Sequence, residues 1–295
     1  MRAVVLRETG GPEVLHVEEI PDPMPGEGEV LVRVTAAGVN HYDLNQRAGA
    51  ATSFPLILGA DGAGVRVDTG ERVAMTNAGG TYAELVAVPE QNLFPIPDEV
   101  DDATAAALGV PYRVARAFVQ VTGIESGDTV LVQAGSSGTG MACIEVSRAV
   151  GAAVFATAAD DKLDRIRGLG AEPLGYGDPR LETLAAAAAF DPVGADTFEQ
   201  SVKALGRGGR LATPGALSSP DVTLNIWGLV GKGLRVIGFS ASEVPLDETM
   251  RWLIGLAARG DLRPAIDREL PLEEAAEAHR AIEARETFGK VVLRP

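Results

Sequence analysis

The chain has 295 residues, enough for two domains of ordinary size. Apolar residues make up 46%, ample for packed interiors, while 41 acidic against 26 basic side chains leave a net charge of −15, so neither nucleic acid nor an anionic membrane is expected as a partner. A single cysteine, Cys143, excludes an internal disulfide and any thiolate zinc cluster.

The opening MRAVVLRETGGPEVL is too short in its apolar part, and charged too soon, for a signal peptide. No window approaches about 18 uninterrupted apolar residues, so no membrane helix is expected. A cytoplasmic location fits. Residues 1–112 read as β-rich. Short β-branched runs at Ala3–Leu6, Val14–Val17, Val30–Val34, Gly64–Val67, Arg72–Ala74 and Tyr82–Val88 are separated by turn compositions such as PDPMPGEGE and VDTGE. In EVLVRV, Val30, Val32 and Val34 alternate with Leu31 and Arg33, as in a half-buried strand. One short helix is expected over Asn40–Ala48, with Asp43 and Arg47 paired on its surface.

Residues 113–242 change character. Thr129–Gln133, Met141–Val150, Ala153–Thr157 and Asp161–Leu169 alternate as strand, helix, strand, helix, the order of a parallel sheet covered by helices on both faces. Both helices run into a glycine, Gly151 and Gly170, the expected left-handed stop. LAAAAAF (Leu184–Phe190) reads as a helix end running into a buried strand. Residues 243–295 return to helices and a last strand, KVVLRP, too short for a domain and expected to rejoin the first.

The stretch VLVQAGSSGTGM (Val130–Met141) joins a strand to a helix through glycines. Without a Cβ, Gly135, Gly138 and Gly140 would let the backbone approach a pyrophosphate. The helix opening near Thr139 would point unpaired N–H groups and its positive end at that anion. Ser136, Ser137 and Thr139 could add hydroxyl donors. Ala142, Val146, Ala149 and Val150 form one helix face suited to a sheet, and Cys143 borders it as a small buried residue. At the tip of the second strand stand Ala156, Thr157 and Ala158, not the carboxylate that would hold the ribose of NAD. Asp160 and Asp161 read as helix-start residues, and Lys162 is available for a phosphate.

Motifs along nearly the whole chain carry a resemblance. They are MRAVVLRETGGPEVLHVEEIPDPMPGEGEVLVRVTAAGVN, LGADGAG, GTYAELVAVP, AAALGVP, AGSSGTG, DPVG, ALGRGGRL and GKVVLRP. Together they resemble the zinc-independent quinone oxidoreductases (ζ-crystallin-like) of the medium-chain dehydrogenase/reductase superfamily. The resemblance implies an α/β protein: a β-rich GroES-like catalytic domain, a Rossmann doubly wound parallel sheet domain, and NADPH in the cleft between them. It also implies a homodimer built by pairing Rossmann edge strands, here Leu234–Phe239. The family's 2′-phosphate site of a hydroxyl residue, a lysine and a tyrosine would fall on Thr157, Lys162 and Tyr176. Zinc-dependent relatives carry a cysteine where Asn40 stands and a histidine–glutamate pair at Ala60–Asp61, so no metal is expected.

Without a Lewis acid, alcohol oxidation is poorly supported and activated acceptors remain: hydride to a quinone or to the β-carbon of an enone. Asn40 is the best polar residue for hydrogen-bonding the developing oxyanion, and Tyr42 or water would supply the proton. Three departures from the family stand out. Only VRVDT separates GAG from GERV, the region Asp178–Asp191 is short, and Val114–Ala115–Arg116 replaces threonine–alanine–tyrosine. They keep open a second reading, an NADPH-binding protein with a non-redox role as cyclase or isomerase, or a nucleotide sensor.

Overall fold

A computed structural model describes all residues, 1–295. The chain forms two compact units, Met1–Pro111 with Leu246–Pro295, and Tyr112–Pro245. In chain order the first unit contributes β1 (Arg2–Leu6), β2 (His16–Glu19), β3 (Glu29–Gly38), α1 (His41–Asn45), β4 (Leu56–Ile57), β5 (Asp61–Arg66), β6 (Arg72–Met75), β7 (Leu85–Pro89), β8 (Leu93–Pro95) and α2 (Asp102–Ala107). Helix α3 (Val110–Thr122) leads into the second unit. There follow β9 (Thr129–Val132), α4 (Gly138–Ala149), β10 (Ala153–Ala158), α5 (Leu163–Gly168), β11 (Glu172–Gly175), β12 (Ala186–Phe190), α6 (Ala195–Ala204), β13 (Leu205–Thr213), α7 (Ile226–Lys232) and β14 (Arg235–Gly238). The chain then returns to the first unit with α8 (Leu246–Ala258), β15 (Ile266–Pro271), α9 (Ala275–Glu283) and β16 (Lys290–Arg294). No helix is long and apolar enough to cross a membrane.

In the first unit, β2-β1-β4 form a small antiparallel sheet, and a larger one runs β15-β16-β3-β5-β6-β8 with β7 also on β3. Strand β3 alternates as its sequence requires: Val32 and Val34 are buried while Arg33 is exposed. The short VRVDT connection keeps its pairing, with Val65 opposite Arg72 in a tight β5–β6 hairpin. One core gathers Val4, Leu6, Val34, Leu58, Met75, Tyr82 and Leu293, so the last strand is part of this unit's interior.

Two expectations in this unit change. Val14 lies in a 3₁₀ turn, Pro12–Val14, and the strand starts at His16, because Pro12 cannot donate to a ladder and opens a helical turn instead. Helix α1 is also shorter than Asn40–Ala48. It passes into a single wide turn, Gln46–Ala50, that is broken at Gly49. Asp43 and Arg47 are not a surface pair: both are buried, Asp43 against backbone amides and Arg47 against the Gly10 carbonyl and Glu283.

The second unit is a six-stranded parallel sheet in the order β11-β10-β9-β12-β13-β14. Numbered within the unit this is 3-2-1-4-5-6, the doubly wound Rossmann order. Gly151 and Gly170 sit at φ +90° and +78°, as left-handed stops behind α4 and α5. The polyalanine run is buried strand β12, with Leu184 as the cap of a preceding 3₁₀ turn. Its small side chains let the sheet's centre pack closely on both faces. The expected one-sided stripe on α4 is corrected. Every residue from Gly140 to Ser147 is buried, whereas Ala149 is exposed, so the helix is enclosed over most of its length. Cys143 lies inside it, and burial pushes its thiol well above the ordinary range.

Candidate dinucleotide turn and a buried polar cluster

The turn between β9 and α4 has a defined geometry. Ala134 adopts φ +52°, and the Gly135 amide donates to the Thr157 carbonyl at 2.8 Å, tying the turn to β10. Ser137 is the N-cap: its Oγ accepts from the Gly140 amide at 3.0 Å and donates to the Ala134 carbonyl at 2.8 Å. Its hydroxyl is therefore committed to the helix start and is not a free donor for a ligand. The helix begins at Gly138, one residue before Thr139, and its first amides have no intrahelical acceptor.

Two of the three glycines are required by the protein's own packing. A Cβ at Gly140 would lie 2.2 Å from the Ala134 carbonyl oxygen, a backbone atom that cannot move aside. One at Gly135 would lie 2.9 Å from the Ala156 Cβ. Close approach of helix, turn and strand is what these positions need, and the amides beyond them are thereby brought to the strand ends.

The residues expected at the adenosine end divide. Thr157 is fully buried; its hydroxyl donates to Gln133 Oε1 at 2.6 Å and accepts from the Ala134 amide at 3.2 Å. It faces the interior under the turn, so its assignment to a 2′-phosphate is corrected. The register Ala158↔Gly175 sets Tyr176 beside Ala159 at the ends of neighbouring parallel strands. Tyr176 is largely exposed, and Lys162 is half-buried in the adjoining 3₁₀ turn, Asp160–Lys162. The cap of that turn is Ala159, not Asp160 as the sequence suggested, and Asp160 lies near Gly175.

In the first unit, Asn40 stands at the centre of a buried polar cluster. Its Nδ2 donates to Asp61 Oδ2 at 2.9 Å and to the Gly38 carbonyl at 3.3 Å, and its Oδ1 accepts from Lys290 Nζ at 2.8 Å. Both amide hydrogens are spent inside the protein, so Asn40 is not a spare donor for a substrate oxygen. Its own backbone amide donates to Asp43 Oδ2 at 2.9 Å, which closes a capping box over α1. Asp61 also accepts from Thr76 Oγ1 at 2.7 Å and from the Val110 amide at 2.8 Å. Tyr82 places its hydroxyl between Asp43 Oδ2, at 3.4 Å, and His279 Nε2, at 3.2 Å. Tyr42, in the first turn of α1, is exposed.

Burial dominates the electrostatics here. It pushes Asp43 up to about 7, with the neighbouring Asp61 charge adding to the effect. It pushes Lys290 down, against the pull of Asp61 and Asp43. It pushes His279 down to about 3, helped by Arg47, so the imidazole is neutral. Lys290 escaped the sequence reading. Its one signal is a charged residue opening the strand ahead of an apolar run, in GKVVLRP.

No three His, Cys, Asp or Glu side chains are grouped to hold a metal ion. At Asn40 a dication would also meet the Lys290 ammonium, itself hydrogen-bonded to the carboxamide oxygen. Zinc does not fit these residues.

A parallel sheet in Rossmann order with a glycine turn after its first strand, in one chain with a mainly antiparallel β-rich unit, defines a medium-chain dehydrogenase/reductase. Residues 26–98 match the alcohol dehydrogenase GroES-like domain family, and residues 169–293 the family described as zinc-binding dehydrogenase. A quinone oxidoreductase of Pseudomonas aeruginosa is 31% identical over 97% of both chains. Among solved structures, an NAD-dependent alcohol dehydrogenase superposes with a TM-score of 0.92 at 36% identity, covering 100% of both chains. The Escherichia coli quinone oxidoreductase complexed with NADPH gives 0.89 at 26%, also over 100% of both. The chain belongs to the zinc-independent quinone oxidoreductase family of that superfamily.

Proposed function

We propose that the protein is an NADPH-dependent, zinc-free oxidoreductase that reduces a quinone or an α,β-unsaturated carbonyl. The observation that carries this reading is the β9–α4 turn, where Gly140 has no room for a Cβ and the first amides of α4 are left for an anion, in a chain related end to end to a quinone oxidoreductase. Gly135, Ser136, Gly138, Thr139 and Gly140 cradle the diphosphate, with Ser137 as the cap that shapes the cradle. Lys162 and Tyr176 receive the 2′-phosphate. Bound NADPH supplies the hydride, and a quinone or enone accepts it because its carbonyl withdraws charge. Tyr42, exposed at the start of α1, gives the proton to the substrate oxygen. Asn40 serves that step indirectly, by capping α1 while Lys290 and Asp61 hold its carboxamide.

The same reading includes a homodimer. Strand β14 has a partner, β13, on one side only, and Val236 on it is exposed. Beside it in sequence, α7 exposes Ile226, Trp227 and Val230, an apolar surface that a second copy would cover. Residence in the cytoplasm fits the buried lone thiol.

The test mixes the protein with NADPH and a panel of quinones and enones and follows absorbance at the nicotinamide band. Oxidation that depends on an acceptor is expected. A fluorescence change without turnover would replace this reading by nucleotide sensing. Product formed with no NADPH consumed would replace it by the cyclase or isomerase role.

A further inference from the structure

Beneath the glycine turn lies a chain of buried side-chain hydrogen bonds that the cofactor contacts do not account for. The Ala134 amide donates to Thr157 Oγ1 at 3.2 Å, and that hydroxyl donates to Gln133 Oε1 at 2.6 Å. Gln133 Nε2 donates to Ser201 Oγ at 3.1 Å, and Ser201 Oγ donates to Asp191 Oδ2 at 2.6 Å. Asp191 Oδ1 in turn accepts from Thr197 Oγ1 at 2.8 Å and from the Val193 and Gly194 amides at 3.0 and 3.2 Å. Gln133, Thr157 and Ser201 are fully buried and Asp191 is 1% exposed.

The chain has one direction. The Thr157 and Ser201 hydroxyls each accept once and donate once, and the sequence of donors ends on a carboxylate anchored by two backbone amides and a threonine. It crosses the ends of β10, β9 and β12 and the second turn of α6. Such a network is a costly way to fill a core, since apolar residues of the same shape would serve stability as well. What it fixes is geometry, because each hydrogen bond is directional and a buried polar group must find its partners inside the protein; Gln133 Nε2 also reaches Gln200 Oε1 at 3.4 Å. Its free end is the turn itself. Ala134 is a non-glycine residue at φ +52°, a strained conformation that persists only where its surroundings impose it. The Thr157 hydroxyl holds the Ala134 amide, and the Thr157 carbonyl holds the next one.

We infer that Thr157, Gln133, Ser201 and Asp191 are positioning residues for the dinucleotide: a relay, anchored at Asp191, that holds the β9–α4 turn in its diphosphate-binding shape. The inference rests on the proposed cofactor reading. It differs from a direct contact in what it says of selectivity. The diphosphate is common to NADPH and NADH, so loosening the turn weakens both by the same factor. A hydroxyl touching the 2′-phosphate would matter to NADPH alone.

Dissociation constants of the full chain for NADPH and NADH, read by nicotinamide fluorescence, test it with Thr157→Val, Ser201→Ala, the double variant and Thr157→Ser. Thr157→Val is expected to weaken both nucleotides about tenfold, the worth of one directional hydrogen bond. Their ratio should stay unchanged. Raised KM for NADPH with kcat kept at saturation should accompany the loss. Thr157→Ser should restore affinity, and the double variant should cost less than the two single losses combined, since both break one chain. Thermal melts accompany each variant. If Thr157→Val does not fold, Ser201→Ala, one link further from the turn, carries the same expectation. Loss confined to NADPH, or unchanged affinity for both in a folded variant, overturns the inference and leaves the cofactor reading standing. A wild-type protein that binds neither nucleotide overturns both.

Discussion

Replacing Lys290 by methionine keeps an unbranched side chain, one atom shorter, and removes its charge. The ammonium is buried and donates to the Val39 carbonyl at 2.7 Å and to Asn40 Oδ1 at 2.8 Å. Each such bond from a charged donor nets about 1.5–3 kcal/mol. Relief of the ammonium's desolvation returns part of that, but Lys290→Met also strips Asp61 and Asp43 of the cation that attracts them. Breaking one side of a buried charge arrangement costs about 3–5 kcal/mol in all. At about 2–4 °C per kcal/mol for a chain of this size, the melting of the first unit should fall by roughly 10 °C. Calorimetry of the wild type and Lys290→Met at pH 7 measures this, with the second unit's transition as internal reference. A first-unit transition within about 2 °C of wild type would refute the reasoning, because the ammonium would then contribute no more than a surface lysine.

Other expectations follow from single contacts. Gly140→Ala puts a Cβ 2.2 Å from the Ala134 carbonyl oxygen, so the turn must deform, and titration should show NADPH and NADH affinity both lost. Lys162→Ala should weaken NADPH more than NADH by about 1–3 kcal/mol, and equal weakening would remove Lys162 from the 2′-phosphate site. Asp43 has its folded-state value raised to about 7, so its neutral form favours the fold. Its contribution is complete below the unfolded value near 4 and is lost as pH rises through about 7. The stability of wild type relative to Asp43→Asn, from urea midpoints, should therefore decline over that window. Val236→Lys on the unpaired edge of β14 should shift sedimentation from dimer to monomer without altering NADPH affinity.

Much of the second unit was legible in sequence because its signals are local. The switch from strand to helix periodicity, the glycine stops at Gly151 and Gly170, and the small-residue strand Ala186–Phe190 each depend on neighbours within a few positions. The misreadings share a cause. Asp43 and Arg47 have the spacing of a surface ion pair, and Ala142 to Val150 that of a one-sided helix, but helical spacing cannot tell which faces other elements cover. Ser137 reads as a ligand donor until its hydroxyl is seen to donate to the Ala134 carbonyl.

The amino-acid sequence by itself determined that a glycine turn joins the first strand of the parallel sheet to its helix, and that Asn40 and Ala60–Asp61 stand where the resemblance puts the ligands of zinc-dependent relatives. Only the tertiary structure decided what those residues touch. Lys290 reaches Asn40 across 250 positions of chain, and Gln133 meets Ser201 across 68. Such contacts leave no periodicity in either segment, because they are set by strand order and by the need of every buried polar group for a partner.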